Sequence, residues 1–234
     1  MPLPSSLTPI RAFAQANYPS SFLFIDRIGE LAQSVRQGYE EAAIGPEGVD
    51  LQGKKGEIQL KASDGKFWMA ERWIGGNPRL TEFAEFVSEK FITMANLLDL
   101  EDYNRTGVRI YYLEPKVSVE EAVQTFQKRH IDYRNEPFNA IPGLPTKCMI
   151  TFAAKDEEYT RQLTVTAIKD EREISGANAG GILMDLDVSR EKPIPISKYE
   201  ATLKELVEVS IKTISNFYNS LREEKLPEKK VAES

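Results

Sequence analysis

Two aspartates one residue apart, Asp185 and Asp187, are the first candidates for chemistry. They lie in an apolar run that reads as a strand, and alternate side chains of a strand share a face, so both carboxylates project the same way. Two such oxygen donors fit Mg²⁺, and nucleotidyl-transfer enzymes use such a pair. No third carboxylate continues the alternation, and Gly180 and Gly181 come immediately before the strand that carries the pair, whereas the glycine pair of such enzymes normally lies on a helix start well before that strand. The pattern favours a solvated acidic strand face, with a Mg²⁺-dependent phosphoryl or nucleotidyl transfer enzyme as the alternative.

Nucleophilic catalysis has little support in the residue types. Cys148 is the only cysteine and His130 the only histidine. Cys148 falls in a predicted strand, where a structural thiol is expected, and His130 follows two cations at the end of a predicted helix, where it complements the helix dipole. No Gly-x-Ser-x-Gly elbow occurs. We therefore expect a non-catalytic protein without a cofactor.

Aromatic residues interleaved with cations give a different signal. In the predicted strand 66–74, Trp68 and Arg72 share one face, while Phe67, Met69 and Trp73 share the other. Both faces are partly apolar, which is typical of a central strand that is either covered twice or covered once and used for a partner. Trp and Arg are enriched at interface hot spots. We predict a partner-binding surface whose members are Trp68, Arg72, Arg105 and Arg109.

Composition limits the kind of partner. The chain has 234 residues, 41% of them hydrophobic, with a formal net charge of -6. This supports a sizeable core and argues against non-specific binding to nucleic acid or to an anionic membrane. One cysteine excludes an internal disulfide, and the N-terminus, broken by Pro2, Pro4 and Pro9, has no signal-peptide pattern. We expect a cytoplasmic protein that does not engage a membrane.

The elements that must position these residues follow from periodicity and turn signals. After a Pro-rich segment, 1–17, we predict a strand at 18–28, a helix at 29–42, a hairpin turning at Asp64–Gly65, and a helix from Asn77–Pro78 to Leu98. The same order then returns as a strand, a helix from the Ser118 capping box, strands at 147–154, 159–168 and 181–188, and a long final helix.

Written as elements, the chain is β-α-β-β-α followed by β-α-β-β-β-α. The prediction is an α+β fold of two topologically similar halves, 18–104 and 105–221, with a charged tail at 222–234. An antiparallel sheet crossed by long helices would bury the apolar faces of both kinds of element. In element order this resembles the helix-grip or TATA-box-binding-protein-like class.

Two segments carry a further resemblance. The strand 105–113 and the run 181–188 before a final helix containing Phe217 resemble a sporadically distributed family of uncharacterised prokaryotic proteins, known mainly as a numbered sequence model. The resemblance spans roughly residues 60–225. The patchy distribution of that family implies mobile or defence-associated genes, and the family supplies no activity.

These observations give one functional hypothesis. We expect a binding or assembly protein in a prokaryotic defence or mobile-element system, such as a subunit of an antiviral complex. Its partner would be a protein, encoded nearby in the genome, and self-association stays open.

Overall fold

The computed structural model describes residues 2–53, 57–73, 78–116, 118–130, 149–168 and 180–223. A nine-stranded sheet dominates these residues, and every neighbouring pair of its strands is antiparallel. The order across the sheet is β2-β3-β4-β5-β1-β7-β10-β9-β8, and a separate ribbon pairs β6 with β11. The strand bounds are β1 Thr8–Asn17, β2 Glu41–Gly45, β3 Gly48–Gln52, β4 Ile58–Ser63, β5 Lys66–Arg72, β6 Asp102–Tyr103, β7 Arg105–Pro115, β8 Met149–Lys155, β9 Thr160–Ile168, β10 Gly181–Arg190 and β11 Ile194–Pro195.

The helices form the second layer, and the fold is α+β. Their bounds are α1 Phe22–Asp26, α2 Ile28–Val35, α3 Leu80–Leu97, α4 Val119–His130 and α5 Tyr199–Glu223. The long helices α3 and α5 touch each other and the central strands, and the ring of Phe91 stacks on that of Tyr199 with centroids 6.0 Å apart. The main core lies between this layer and the sheet. No helix in the described ranges combines the length and apolar character needed to cross a membrane.

The N-terminal prediction is wrong in its placement of the first strand. The structure has a strand at Thr8–Asn17, where we predicted a Pro-rich segment, and the short helix α1 at Phe22–Asp26, where we predicted a strand over 18–28. Helix α2 at Ile28–Val35 confirms the helix predicted over 29–42, although it ends seven residues early. Ala12, Ala14 and Ala16 are at most 1% exposed and let the helices approach β1 closely. Ser21, whose Oγ accepts from the Leu23 amide, starts α1, and this local cap overrides the strand propensity of the aromatic run.

Two further strands were missed in the first half. Gly45, Pro46 and Gly48 were interpreted as a break, but they form the turn of a hairpin between β2 and β3. Gly48 has φ +152°, and a Cβ there would lie 2.2 Å from the Ala62 carbonyl oxygen. The described part of residues 1–104 therefore contributes five strands to the large sheet instead of the three predicted, and β1 lies before residue 18, where the first half was predicted to start.

Several local predictions are confirmed. Strands β4 and β5 pair across the turn at Asp64–Gly65, where Gly65 has φ +79°. The amide of Glu121 donates to Ser118 Oγ at 3.1 Å, as the capping box requires. Helix α3 begins at Leu80 with Arg79 at its N-cap, two residues after the predicted start, and Asn77 lies outside the described residues.

Candidate functional site

The two faces of the sheet differ in their cover. In β1, β5, β7 and β10, one set of alternate residues packs into the helix-covered core. The other set makes a surface that we call the open face, because no described helix packs on it. Its members in these strands are Arg11, Phe13, Gln15, Asn17, Lys66, Trp68, Ala70, Arg72, Arg105, Gly107, Arg109, Tyr111, Leu113, Leu183, Asp185, Asp187 and Ser189.

Three aromatic rings lie at the centre of the open face. Phe13 contacts Trp68 with ring centroids 5.6 Å apart and Tyr111 with centroids 5.4 Å apart. The guanidinium of Arg11 lies 4.4 Å from the centroid of the Phe13 ring, and that of Arg109 lies 5.3 Å from the centroid of Tyr111. The rings form a half-buried platform with cations against it.

Arg109 and Asp185 form a bidentate ion pair across neighbouring strands. Arg109 Nε and Nη2 donate to the two Asp185 carboxylate oxygens at 2.7 and 2.5 Å. This hydrogen bonding raises the pKa of Arg109, and burial opposes it only in part. Both oxygens of Asp185 are therefore already engaged, and a metal ion would have to displace a guanidinium to reach them.

Asp187 lines a notch beside this pair. Gly107 leaves room for the notch, because it carries no side chain between Gln15 of β1 and Ser189 of β10. The other walls include Phe13, Trp68, Arg105, Arg109 and Tyr111. Burial raises the pKa of Asp187, and the nearby Arg105 and Arg109 oppose that shift.

Arg11 and Arg72 form a second cationic group on the open face. They are direct cross-strand partners in the β1–β5 register. Burial lowers the pKa of Arg11, and the charges of Arg72 and Arg109 lower it further, while Tyr111 opposes them. Neither Arg11 nor Arg72 has a carboxylate partner within the described residues, and Arg11 Nε is buried there without a hydrogen-bond acceptor. Two guanidinium groups side by side without a counter-charge are a destabilising arrangement that an anion would relieve.

A small apolar cluster borders these arginines. Leu113 and Ile168 are 5% and 3% exposed, and Ile10 and Leu183 pack on them, separately from the main core. Ile10 directly precedes Arg11, at a register shift between β1 and β7. The open face thus presents apolar, aromatic and cationic groups side by side.

The predicted site residues meet on this face. Trp68, Arg72, Arg105 and Arg109 all lie on the open face, as do Asp185 and Asp187, whereas Trp73 packs against Phe83 of α3 as a core residue. In the described ranges no group of three or more acidic, histidine or cysteine side chains could hold a metal ion. Cys148 lies outside the described residues, and His130 ends α4 with its ring against Phe126 and Phe217.

Sequence reasoning missed Arg11 and Phe13. The misplaced first strand concealed them, although the alternation of alanines at 12, 14 and 16 with larger residues at 11, 13 and 15 was a usable strand signal. Phe13 supplies the ring that joins Trp68 to Tyr111. Without β1, the two halves of the surface could not be connected.

Comparison with known proteins finds a structural likeness at low sequence identity. No family model matches the chain. No curated protein matches it either. Among solved structures, a Methanococcus jannaschii TBP is similar over 88% of this chain and 98% of its own, with 13% sequence identity and a TM-score of 0.31.

Proposed function

We propose that this chain is a non-catalytic binding protein that holds a protein partner against the open face of its sheet. The observation that carries the proposal is the half-buried platform of Phe13, Trp68 and Tyr111 with arginines against two of its rings. Aromatic and arginine side chains offer large contact area together with hydrogen-bond donors, and they dominate interface energetics.

A protein partner fits this surface better than a nucleic acid does. Stacking of bases requires accessible ring faces. Here Phe13 already contacts two rings and a guanidinium, and Tyr111 contacts Phe13 and Arg109. The carboxylates of Asp185 and Asp187 share the same surface and would repel phosphates. Direct non-specific binding of nucleic acid therefore remains disfavoured, in keeping with the net charge of -6.

The biological setting and the two-halves description belong to the same proposal. The sheet divides between β1 and β7 into the strand orders 2-3-4-5-1 and 7-10-9-8. This division supports two topologically similar halves of the helix-grip or TATA-box-binding-protein-like kind. The resemblance of 105–113 and 181–188 to a sporadically distributed prokaryotic family supports a role in a defence or mobile-element complex, with the partner encoded nearby.

Site-directed photo-crosslinking tests the proposal in cells that co-express the neighbouring genes. Benzoylphenylalanine replaces Gln162, which is exposed and paired with Asp187 on the open side of the sheet, or Glu208, which is exposed on α5 in the helix layer. We expect one neighbouring gene product to crosslink from position 162 and not from position 208. The captured protein is then purified and titrated against the wild type and the variant Trp68→Ala with Arg72→Ala.

The two affinities from this titration test whether the open face binds the partner. Loss of two hot-spot side chains should weaken binding by at least ~2 kcal/mol, about thirtyfold. Equal crosslinking from both positions, or unchanged affinity in a double variant that remains folded, would overturn the proposal. Crosslinks to nucleic acid in place of protein would do the same.

A further inference from the structure

We propose that Arg11 and Arg72 form a carboxylate-binding site, and that the partner docks an acidic side chain there. The inference rests on the proposed function and adds the chemistry of the contact. It starts from an imbalance of charge: the two guanidinium groups are cross-strand neighbours and have no carboxylate partner in the described ranges.

Most of the other cations of the open side lie beside a carboxylate, but the exposed Lys66 has no carboxylate partner among the described residues. Lys61 Nζ lies 2.9 Å from Asp50 Oδ2, Lys155 Nζ lies 2.7 Å from Glu191 Oε2, and Arg109 is bound by Asp185. Arg105 lies beside Asp187 and hydrogen-bonds Ser189 Oγ at 3.2 Å. Among the described residues the unpaired positive charge of this face therefore lies at Arg11 with Arg72 and, at the opposite end of β5, at Lys66, and only the first place brings two cations together.

Arg11 is also held in place for a ligand. Its guanidinium lies 4.4 Å from the Phe13 ring centroid, and its Nε is buried without an acceptor in the described part of the chain. A guanidinium presents its donors in a planar fork that matches a carboxylate. The buried Nε is out of a ligand's reach, so an incoming carboxylate would engage the Nη donors of this guanidinium.

The surroundings favour a protein carboxylate over a phosphate of nucleic acid. Ile10 and Leu183, the partly exposed members of the apolar cluster beside the arginines, suit the apolar side chains of a polypeptide, whereas Leu113 and Ile168 are already buried. A nucleic acid backbone needs a continuous series of cations, and this surface interrupts its cations with Asp185 and Asp187. The partner segment should thus combine acidic and apolar residues.

Direct titration with defined probes tests the site without knowledge of the partner. Fluorescein-labelled peptides of about ten glutamates or ten glutamines, and an oligothymidylate of matched charge, are titrated by fluorescence anisotropy at low ionic strength, where surface electrostatics are strongest. We expect the glutamate peptide to bind, the glutamine peptide not to bind, and the oligothymidylate to bind more weakly than the glutamate peptide.

Matched double variants localise the contact. Arg11→Gln with Arg72→Gln should weaken glutamate-peptide binding at least tenfold. Lys61→Gln with Lys155→Gln removes the same charge from lysines that are already paired, and it should change binding less than twofold. Both variants should melt within about 3 °C of the wild type, because all four side chains lie at the surface or are only half-buried.

Three results would overturn the inference. The first is an equal loss of glutamate-peptide affinity in both double variants, which would indicate general electrostatics. The second is tighter binding of the oligothymidylate than of the glutamate peptide. The third is absence of glutamate-peptide binding to a folded wild type. These failures are separable from failure of the proposed function, because a crosslinked partner whose affinity depends on Trp68 but not on Arg11 would retain the binding role without the carboxylate contact.

Discussion

The neighbouring side chains Phe67 and Trp68 lie on opposite faces of β5 and provide a direct test of the open face. Phe67 is 0% exposed and its ring contacts those of Tyr18, Phe91 and Tyr103 at 4.6, 5.7 and 6.1 Å between centroids. Trp68 is half-buried, and Phe13 is its ring contact in the described residues.

The expected magnitudes differ accordingly. Phe67→Ala should lower the free energy of unfolding by ~3–5 kcal/mol, the usual cost of an aromatic cavity in a core. Trp68→Ala loses one aromatic pair, worth ~0.5–1.5 kcal/mol, plus partial burial, for a total near ~2 kcal/mol. Removal of the larger side chain, Trp68, should therefore destabilise the protein less than removal of Phe67.

Urea unfolding followed by far-UV circular dichroism measures both values on the same chain. Phe67→Leu and Trp68→Leu serve as controls, because leucine retains much of the apolar volume and should recover more stability at position 67 than at position 68. If Trp68→Ala destabilised the protein as much as Phe67→Ala, an element of the chain would have to cover Trp68, and the open face could not serve a partner.

Three further predictions concern buried and paired groups. Leu206→Asp and Ile214→Asp should each abolish folding, because both positions are 0% exposed and an unpaired buried carboxylate costs several kcal/mol; soluble variants with a normal melting temperature would refute the placement of α5. Asp187→Asn should stabilise the protein at pH 7. The pKa of Asp187 is raised in the folded state, so the wild type loses stability as the pH rises from the ordinary aspartate pKa through the raised pKa. Urea titrations should therefore find a higher free energy of unfolding for the variant at pH 7, and this difference should disappear toward pH ~3.9. Asp185→Asn with Asp187→Asn should leave the melting temperature nearly unchanged, because the loss of the partly exposed Arg109 ion pair, worth at most ~1 kcal/mol, offsets that gain. Calorimetry with and without Mg²⁺ should give one melting temperature for the wild type, and a rise that this double variant abolishes would favour the enzyme alternative.

Patterns with a local physical cause were predictable from the sequence. The Asp64–Gly65 turn requires a positive φ, which glycine supplies, and Ser118 caps its own helix within three residues. The pairing of Trp68 with Arg72 on one face followed from strand alternation alone. Such features depend on neighbours along the chain and need no knowledge of the fold.

The missed features depend on contacts distant in sequence. Ala12, Ala14 and Ala16 form a strand because helices of the core pack on them, although alanine by itself disfavours a strand. The aromatic run that begins at Phe22 was predicted as a strand, yet the Ser21 cap and the burial of Phe24 favour a short helix. The Arg11 and Arg72 pairing was likewise invisible, because residues 61 positions apart meet only through the β1–β5 register.

The central position of β1 has a consequence for synthesis of the chain. Strand β1 is synthesised before the other strands of the sheet, but it pairs with β5 at residues 66–72 and with β7 at residues 105–115. Until those residues emerge, both edges of β1 lack their partners, and at roughly 5–20 residues per second this interval lasts several seconds. Phe13 and the alanine row lack their native cover throughout it, so β1 is open to pairing with other strands during synthesis.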